Sequence, residues 1–325
     1  MFKAVVFAYS EVGYRCLEVL LDSGVQVPLV FTHRDAVSEQ QWFGSVAQLA
    51  RERGVATVTT EDPHDERWAC EVEALAPQYL LCFYYRSMLS PRLLRAARWA
   101  ALNMHGSLLP RYRGRAPVNW AILHGERETG ATLHHMVDKP DAGAIIAQTR
   151  VAIGIDDTAL EVSLAVARAA ARMLEECLPT LARGAPSGRP MDLSQGSYFG
   201  GRTPADGRID WRSPARSIHD LIRAVAPPFP GAFSELGPTR VVFEGSRWVA
   251  QAARHRDCAP CLYVEAERLF LDCRDGTRLL LPSVRLGGQR LDASAFLARH
   301  GRAPLALDPP LTQGHMNEKA AHSRG

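Results

Sequence analysis

The 325-residue chain contains no apolar run near the roughly 20 residues that cross a bilayer, which excludes a transmembrane helix on sequence grounds. Its first residues, Met1 to Tyr9, are apolar over too short a stretch for a secretion signal. No small-residue cleavage site follows, and Glu11 and Arg15 come soon after. We therefore expect a first strand and a cytoplasmic protein. No G-x-G-x-x-G follows that strand: the residues are Ala8-Tyr9-Ser10-Glu11-Val12-Gly13, so the dinucleotide fingerprint is missing. Lysine is scarce beside arginine, and the formal net charge of +3 is spread rather than gathered into a basic stripe. That argues against a nucleic-acid partner and leaves anionic small ligands open. A high-GC genome produces the same arginine bias. The seven cysteines are odd in number and scattered, which fits reduced thiols. Cys258-Ala-Pro-Cys261 has metal-like spacing, with His255 and Cys273 nearby, but no second clean pair completes a zinc quartet. We read it as a loop with two ordinary thiols and expect no metal. His134-His135 is not a ligand pair either, because adjacent strand residues face opposite ways. No internal repeat is present.

What remains is an ordinary globular composition, 46% hydrophobic and 22% charged, long enough for two domains. Short β-rich runs alternate with helical periodicity. Strands are expected over Lys3–Tyr9, Val25–Phe31, Tyr79–Tyr84, Ala101–His105, Ala131–Met136 and Ala144–Val151. Helices are expected after Ser10, over Phe43–Arg53 and over Pro91–Ala97. Thr158-Ala-Leu-Glu161 is a capping box opening a long helix. Its apolar stripe reads Leu160, Leu164, Ala167, Ala171, Leu174, Leu178 and Leu181, and Gly184 lies past its end. This pattern implies an α/β fold: a Rossmann-like, mostly parallel sheet with helices on both faces. Gly, Pro and Ser crowd the stretch from Ala185 to Pro204. A helix over Ala215–Ala226 follows. Short strands at Val241–Phe243, Trp248–Ala250, Cys261–Val264, Leu269–Leu271 and Arg278–Leu281 then suggest a small β-barrel or sandwich. We divide the chain into a catalytic domain over 1–188, a linker over 189–205, a barrel-like, OB-like domain over 206–300 and a disordered tail over 301–325.

The chemistry concentrates in Leu102-Asn-Met-His-Gly-Ser-Leu-Leu-Pro-Arg-Tyr-Arg-Gly114 and Asp141-Ala-Gly143. Strand alternation points Asn103 and His105 to one face and Met104 to the other. An amide, an imidazole and a carboxylate together can move a one-carbon acyl group. Asn103 donates to the developing oxyanion, and His105 carries protons. Asp141, beside it, raises the imidazole pKa and fixes the ring. Phe83, Tyr84 and Tyr85 read as packing at a strand end.

These residues carry a family likeness. Asn103-Met-His105-Gly-Ser-Leu-Leu-Pro110, Tyr112-Arg-Gly-Arg115-Ala-Pro117, Glu128-Thr-Gly130 and Asp141-Ala-Gly143, in that order, resemble the folate-dependent formyltransferases. Arg202-Thr-Pro204 and Phe229-Pro-Gly-Ala-Phe233 resemble that family's second domain, so the likeness spans about residues 1–290. Phe83-Tyr-Tyr-Arg86 and Pro140–Ile145 look most like the formyltransferase domain of the bifunctional polymyxin-resistance enzyme, which acts on UDP-4-amino-4-deoxy-L-arabinose. The resemblance implies 10-formyltetrahydrofolate as co-substrate and a nucleotide-linked amino sugar as acceptor. It also implies a separate polypeptide for the oxidative decarboxylation. By the same carry-over the backbone around Ser87, Met88 and Leu89, together with Arg115 and the run Val137, Asp138, Lys139, Pro140 and Asp141, lines the folate pocket. Two rivals share the trio. Methionyl-tRNA formylation is disfavoured because Phe31–Ala47 lacks the basic inserted loop and the first turn lacks Gly-Thr-Pro. A formyltetrahydrofolate hydrolase is disfavoured because no regulatory domain is expected ahead of the core.

Overall fold

Short apolar runs build the main sheet. Its strands are β1 (Lys3–Ala8), β2 (Gln26–Thr32), β3 (Ala56–Thr59), β4 (Tyr79–Phe83) and β5 (Ala100–His105). The runs are rich in β-branched and aromatic residues in β1 and β2, but β5 is made of Ala, Leu and Met around the polar Asn103 and His105. A two-residue strand, β6 (Arg113–Gly114), precedes β7 (Glu128–His135) and β8 (Ile145–Ala152). The computed structural model describes residues 1–35, 41–60, 62–63 and 65–307. The sheet order is β3-β2-β1-β4-β5-β7-β8. β1 to β5 pair in parallel, while β7 runs antiparallel to both β5 and β8. The sheet is thus mostly parallel, with an antiparallel flank that the sequence pattern did not reveal. The strand order reverses between β1 and β4, and crevices at such switch points are where α/β sheets gather ligands.

Alternation along the strands divides the core in two. Ala4, Val6, Leu81, Leu102 and Met104 pack with Val12, Leu17 and Leu20 of α1 (Ser10–Asp22). Leu49 of α2 (Val46–Glu52) joins the same core. On the other face Val5, Phe7, Leu80 and Ala101 pack with Val72 of α3 (Glu66–Leu75) and Leu93 of α4 (Pro91–Ala96). Helices α5 (Pro117–Leu123) and α6 (Ala159–Leu181) close the first face. Thr158 caps α6 through the reciprocal contact with Glu161. The buried stripe of α6 differs from the expected one. Ala167, Leu174 and Leu181 are buried, but so are Val162, Val166, Ala170 and Met173, while Leu160, Leu164, Ala171 and Leu178 are only half-buried. Two adjacent apolar stripes lie on this helix. The Ala/Val-rich one faces in because small side chains permit closer approach to the sheet. The helix expected over Phe43–Arg53 starts only at Val46, with Ser45 as its cap. β3, α3 and α5, of four, ten and seven residues, were not anticipated, because elements so short show too little of a period to read.

By internal contacts the described residues of 1–206 and 223–230 form one unit, and those of 207–222 and 231–307 form the other. The stretch expected to be a linker is built into the first unit. β9 (Tyr198–Phe199) pairs with β6, and Arg189 bridges Ile145. Backbone pairing thus orders a stretch whose composition alone suggested none. The second unit contains part of α7 (Ala215–Ala224) together with β10 (Ala232–Leu236), β11 (Thr239–Phe243) and β12 (Arg247–Ala252). β13 (Cys261–Glu265), β14 (Arg268–Asp272), β15 (Thr277–Leu281), β16 (Val284–Leu286) and β17 (Gln289–Leu291) continue it. α8 (Ala293–His300) and β18 (Leu305–Ala306) complete it. They form a four-stranded sheet, β10-β11-β16-β17, and a five-stranded one, β12-β15-β14-β13-β18. The two antiparallel sheets are the small β-rich domain that the strand spacing called for. Residues 301–307, expected to be disordered, are tied down by the pairing of β18 with β13. The rest of that predicted tail, 308–325, lies outside the described residues. Among the described residues no helix is long and apolar enough to cross a membrane.

Candidate active site

The outer end of β5 carries the site. Leu102 and Met104 point into the first core, so Asn103 and His105 rise on the opposite face, in line with the buried Ala101. His134 of β7 stands directly across from Asn103 in register. Asp141 comes from the β7–β8 connection and sits in the left-handed region at φ 49°. This conformation is uncommon outside glycine but is one that Asp and Asn tolerate better than most. It brings the carboxylate over the strand.

The three expected catalytic groups converge, and a fourth joins them. His105 Nδ1 lies 3.5 Å from Asp141 Oδ1, with side chains 8% and 13% exposed. Asn103 Nδ2 is 3.4 Å from the same oxygen and 3.1 Å from His134 Nε2. His134 Nε2 is itself 3.6 Å from Asp141 Oδ1. The remaining atoms define the tautomers. His105 Nε2–H donates to the Tyr112 carbonyl at 2.8 Å, which leaves Nδ1 as the basic nitrogen facing Asp141. His134 Nδ1–H donates to the His135 carbonyl at 2.8 Å, so its Nε2 accepts from Asn103. The other Asp141 oxygen, Oδ2, accepts the Gly114 N–H at 2.9 Å. His134, the Tyr112 carbonyl and the Gly114 N–H were absent from the sequence-derived site. Only the β5–β7 register, which a single sequence does not encode visibly, could have pointed to His134. His135 faces away, with Nε2 against the Pro186 carbonyl at 3.0 Å.

Burial is the largest influence on both titrating groups. It works to raise the Asp141 carboxyl. The charge His105 takes on once protonated, the nearby His134 ring and the Gly114 N–H together outweigh it and hold Asp141 well below the usual carboxylate range. His105 moves against the sequence-based expectation. Asp141 and the Tyr112 carbonyl raise its pKa, but burial, reinforced by His134, lowers it below the ordinary imidazole value. Desolvation of the ring overcomes one partly solvated carboxylate. The group next to Asp141 at neutral pH is therefore a neutral imidazole, which is a proton acceptor.

The expected folate residues fall into two sets. Met88, Val137, Asp138 and Lys139 are exposed, and Ser87 and Pro140 are half-buried. Met88 and Val137 are among the few large apolar side chains left open to solvent, 53% and 43% exposed. Leu89 buries its side chain in the second core with Leu93 and Ala101, which leaves its backbone, the part named for the pocket, to face a ligand. Arg115 is exposed and follows Gly114, its backbone N–H donating to Phe199 at 3.0 Å. Phe83 is core, and Tyr85 stacks on His33 with centroids 4.1 Å apart, in keeping with packing roles. Among the described residues no group of three or more His, Cys, Asp or Glu side chains is placed to hold a metal ion.

The loop after the signature strand is braced from behind. Thr132 Oγ1 donates to the Ser107 carbonyl at 2.6 Å and accepts the Leu109 N–H at 3.2 Å. Phe199 stacks between Tyr112 and Trp120, with centroids 5.4 and 4.8 Å away. Gly114 sits at a tight backbone crossing. Its φ is 95°, and a Cβ there would sit 2.2 Å from the Phe199 carbonyl oxygen. Gly114→Ala is therefore expected to push β6 off β9, withdraw the N–H from Asp141 and destabilise the protein by about 1–3 kcal/mol. Turnover falls with it. Gly200→Ala, where nothing lies within 4 Å of the added methyl, is the comparison and is expected to be neutral. Parallel urea melts and rate measurements check this, and equal stability of the two variants would refute it.

Comparison with known proteins bears on the family. Residues 5–178 match the family described as formyl transferase, and residues 202–301 match the formyl transferase C-terminal domain. Solved structures of similar fold include an N-formyltransferase from Helicobacter canadensis in complex with folinic acid and dTDP-3-aminofucose. It is 19% identical at a TM-score of 0.70, covering 90% of this chain and 100% of that one. WlaRD, a sugar 3N-formyl transferase solved with dTDP and 5-N-formyl-THF, is 17% identical at 0.68, covering 90% and 98%. A 4-N formyltransferase from Francisella tularensis is 18% identical at 0.58, covering 71% and 91%. At these identities the structural likeness speaks to fold, whereas the family matches together span most of the sequence. The chain belongs to the formyl transferase family.

Proposed function

We propose that this protein transfers a formyl group from 10-formyltetrahydrofolate to the amine of a nucleotide-linked amino sugar in the cytoplasm. The favoured acceptor is the 4-amino group of UDP-4-amino-4-deoxy-L-arabinose, an amino sugar of lipid A modification. The single observation that carries the reading is the convergence of Asn103, His105 and Asp141 at the end of β5. The family membership supports the transfer. The sugar substrates named for proteins of the same fold support the acceptor class, and the Phe83–Arg86 and Pro140–Ile145 segments favour the arabinose.

The folate substrate brings an activated one-carbon acyl group on nitrogen, and this chain's residues supply position and protons. The exposed apolar side chains of Met88 and Val137 suit a flat ring system, and Arg115 and Lys139 suit its carboxylates. Ser87, the Leu89 backbone, Asp138, Pro140 and Asp141 complete the proposed lining. His105 Nδ1, unprotonated in the resting site, takes the proton of the attacking amine and returns one to the departing nitrogen. Asn103 Nδ2 donates to the formyl oxygen as charge builds there. Its longer contact, 3.4 Å to Asp141, is the one such an oxygen replaces, while the 3.1 Å contact to His134 keeps the amide oriented. Asp141 stays ionised and stabilises the imidazolium that His105 becomes in passing.

Incubation with 10-formyltetrahydrofolate and a panel of UDP- and dTDP-linked amino sugars tests the reading. The expected product is one UDP-linked 4-amino sugar heavier by a single formyl group. Formylation of methionyl-tRNA alone, or release of formate with no acceptor modified, would replace it with one of the two rivals.

A further inference from the structure

The Cys258-Ala-Pro-Cys261 segment takes no part in the site above. It lies in the second unit, in the connection between β12 and β13. Cys258 closes a single helical turn over Arg256–Cys258 and is half-buried, while Cys261 begins β13 and is buried. Their sulfurs stand 3.3 Å apart. A disulfide bond is about 2.05 Å long, so small rotations of the two side chains would close it. The backbone around them is held in place. Asp272, opposite Cys261 in the β13–β14 register, accepts the Arg254 and His255 N–H groups at 2.8 and 2.6 Å and the Tyr263 hydroxyl at 3.1 Å. A metal site would need further ligands, and among the described residues no such group is assembled.

We propose that Cys258 and Cys261 form a reversible dithiol–disulfide pair, oxidised by exchange with a small disulfide of the glutathione type. The more exposed Cys258 gives up its proton and attacks the small disulfide, forming a mixed disulfide and releasing one thiol. Cys261 then loses its proton and attacks Cys258 Sγ, which releases the second thiol. Two electrons and two protons pass from the protein to the small disulfide, and nothing else is consumed. Burial pushes the Cys261 thiol up, consistent with Cys258 as the sulfur that reacts first. A bridge across so short a loop removes little entropy from the unfolded chain. It therefore adds little global stability and reduces readily, as suits a reversible mark rather than a structural staple.

The test is peptide mapping of the intact protein after equilibration in glutathione buffers of increasing oxidation. The peptide carrying both residues is expected to lose the mass of two hydrogens and to regain it on reduction. Cys261→Ser should trap one glutathione on Cys258, and Cys258→Ser should form no bridge. Three results would overturn the proposal: a peptide that stays fully reduced in oxidised glutathione, a glutathione that persists on Cys258 of the unaltered protein, or a bridge from Cys261 to the nearby buried Cys273. The measurement on the unaltered protein decides the matter even if a variant fails to fold.

Discussion

His105→Ala is expected to lower formyl transfer by about 10²–10⁴-fold, the range that one well-placed proton carrier supplies. The protein should still fold. The Tyr112 carbonyl loses the His105 N–H at 2.8 Å and keeps only a share of the Ser107 hydroxyl at 3.3 Å, whose shorter bond goes to the Arg111 carbonyl at 2.6 Å. The destabilisation should stay near the usual worth of a lost hydrogen bond, about 1 kcal/mol, plus a small cavity. The pH profile carries the mechanism. His105 must be neutral to accept a proton, so activity falls as pH drops through its pKa. Burial places that pKa below the ordinary imidazole value, and the acid limb of kcat/KM should therefore lie below the usual histidine range. Steady-state rates against pH, with circular dichroism to confirm folding, check both statements. An alanine variant at full rate, or an unaltered acid limb in it, would remove His105 from the reaction.

Asp141→Asn is the second large effect. Asparagine tolerates the left-handed backbone at φ 49° and can still accept from the Gly114 N–H, so the loop should keep its shape. The charge is what disappears. Asp141 raises the His105 pKa, so its loss moves the acid limb of the pH profile to still lower pH. It also removes the stabilisation of the imidazolium, and turnover should fall by about a hundredfold. Stability responds in a definite direction. A carboxyl held below its unfolded value contributes stability that is complete above the ordinary carboxylate range. That contribution is lost as pH falls toward the depressed native value. The asparagine variant lacks it, so its melting temperature should depend less on pH through the acid range. Calorimetry across that range, together with rate profiles, tests the two halves independently. An unchanged limb with unchanged turnover would mean that Asp141 is only a turn residue.

The candidate site was legible to the extent that strand periodicity reaches. Alternation alone puts Asn103 and His105 on one side of β5, and the packing of Leu102 and Met104 agrees with it. It could not give the direction of the His105 shift. That depends on how much water surrounds the ring, and burial is a property of the packed protein rather than of neighbours in sequence. His134 escaped for a related reason. Its residue type was noticed, yet its place beside Asn103 exists only once β7 pairs antiparallel with β5.

The amino-acid order by itself determined the alternating α/β layout, the capped long helix at Thr158, the pairing of Asn103 with His105 on one face and the family the chain belongs to. All of these are written in local periodicity or in linear motifs. Folding in three dimensions decided which stripe of α6 is buried, where the units divide, how residues 189–205 are anchored and which charge state His105 holds. Each of these depends on contacts between residues distant in the chain and on the exclusion of water, and neither exists before the sheet has assembled.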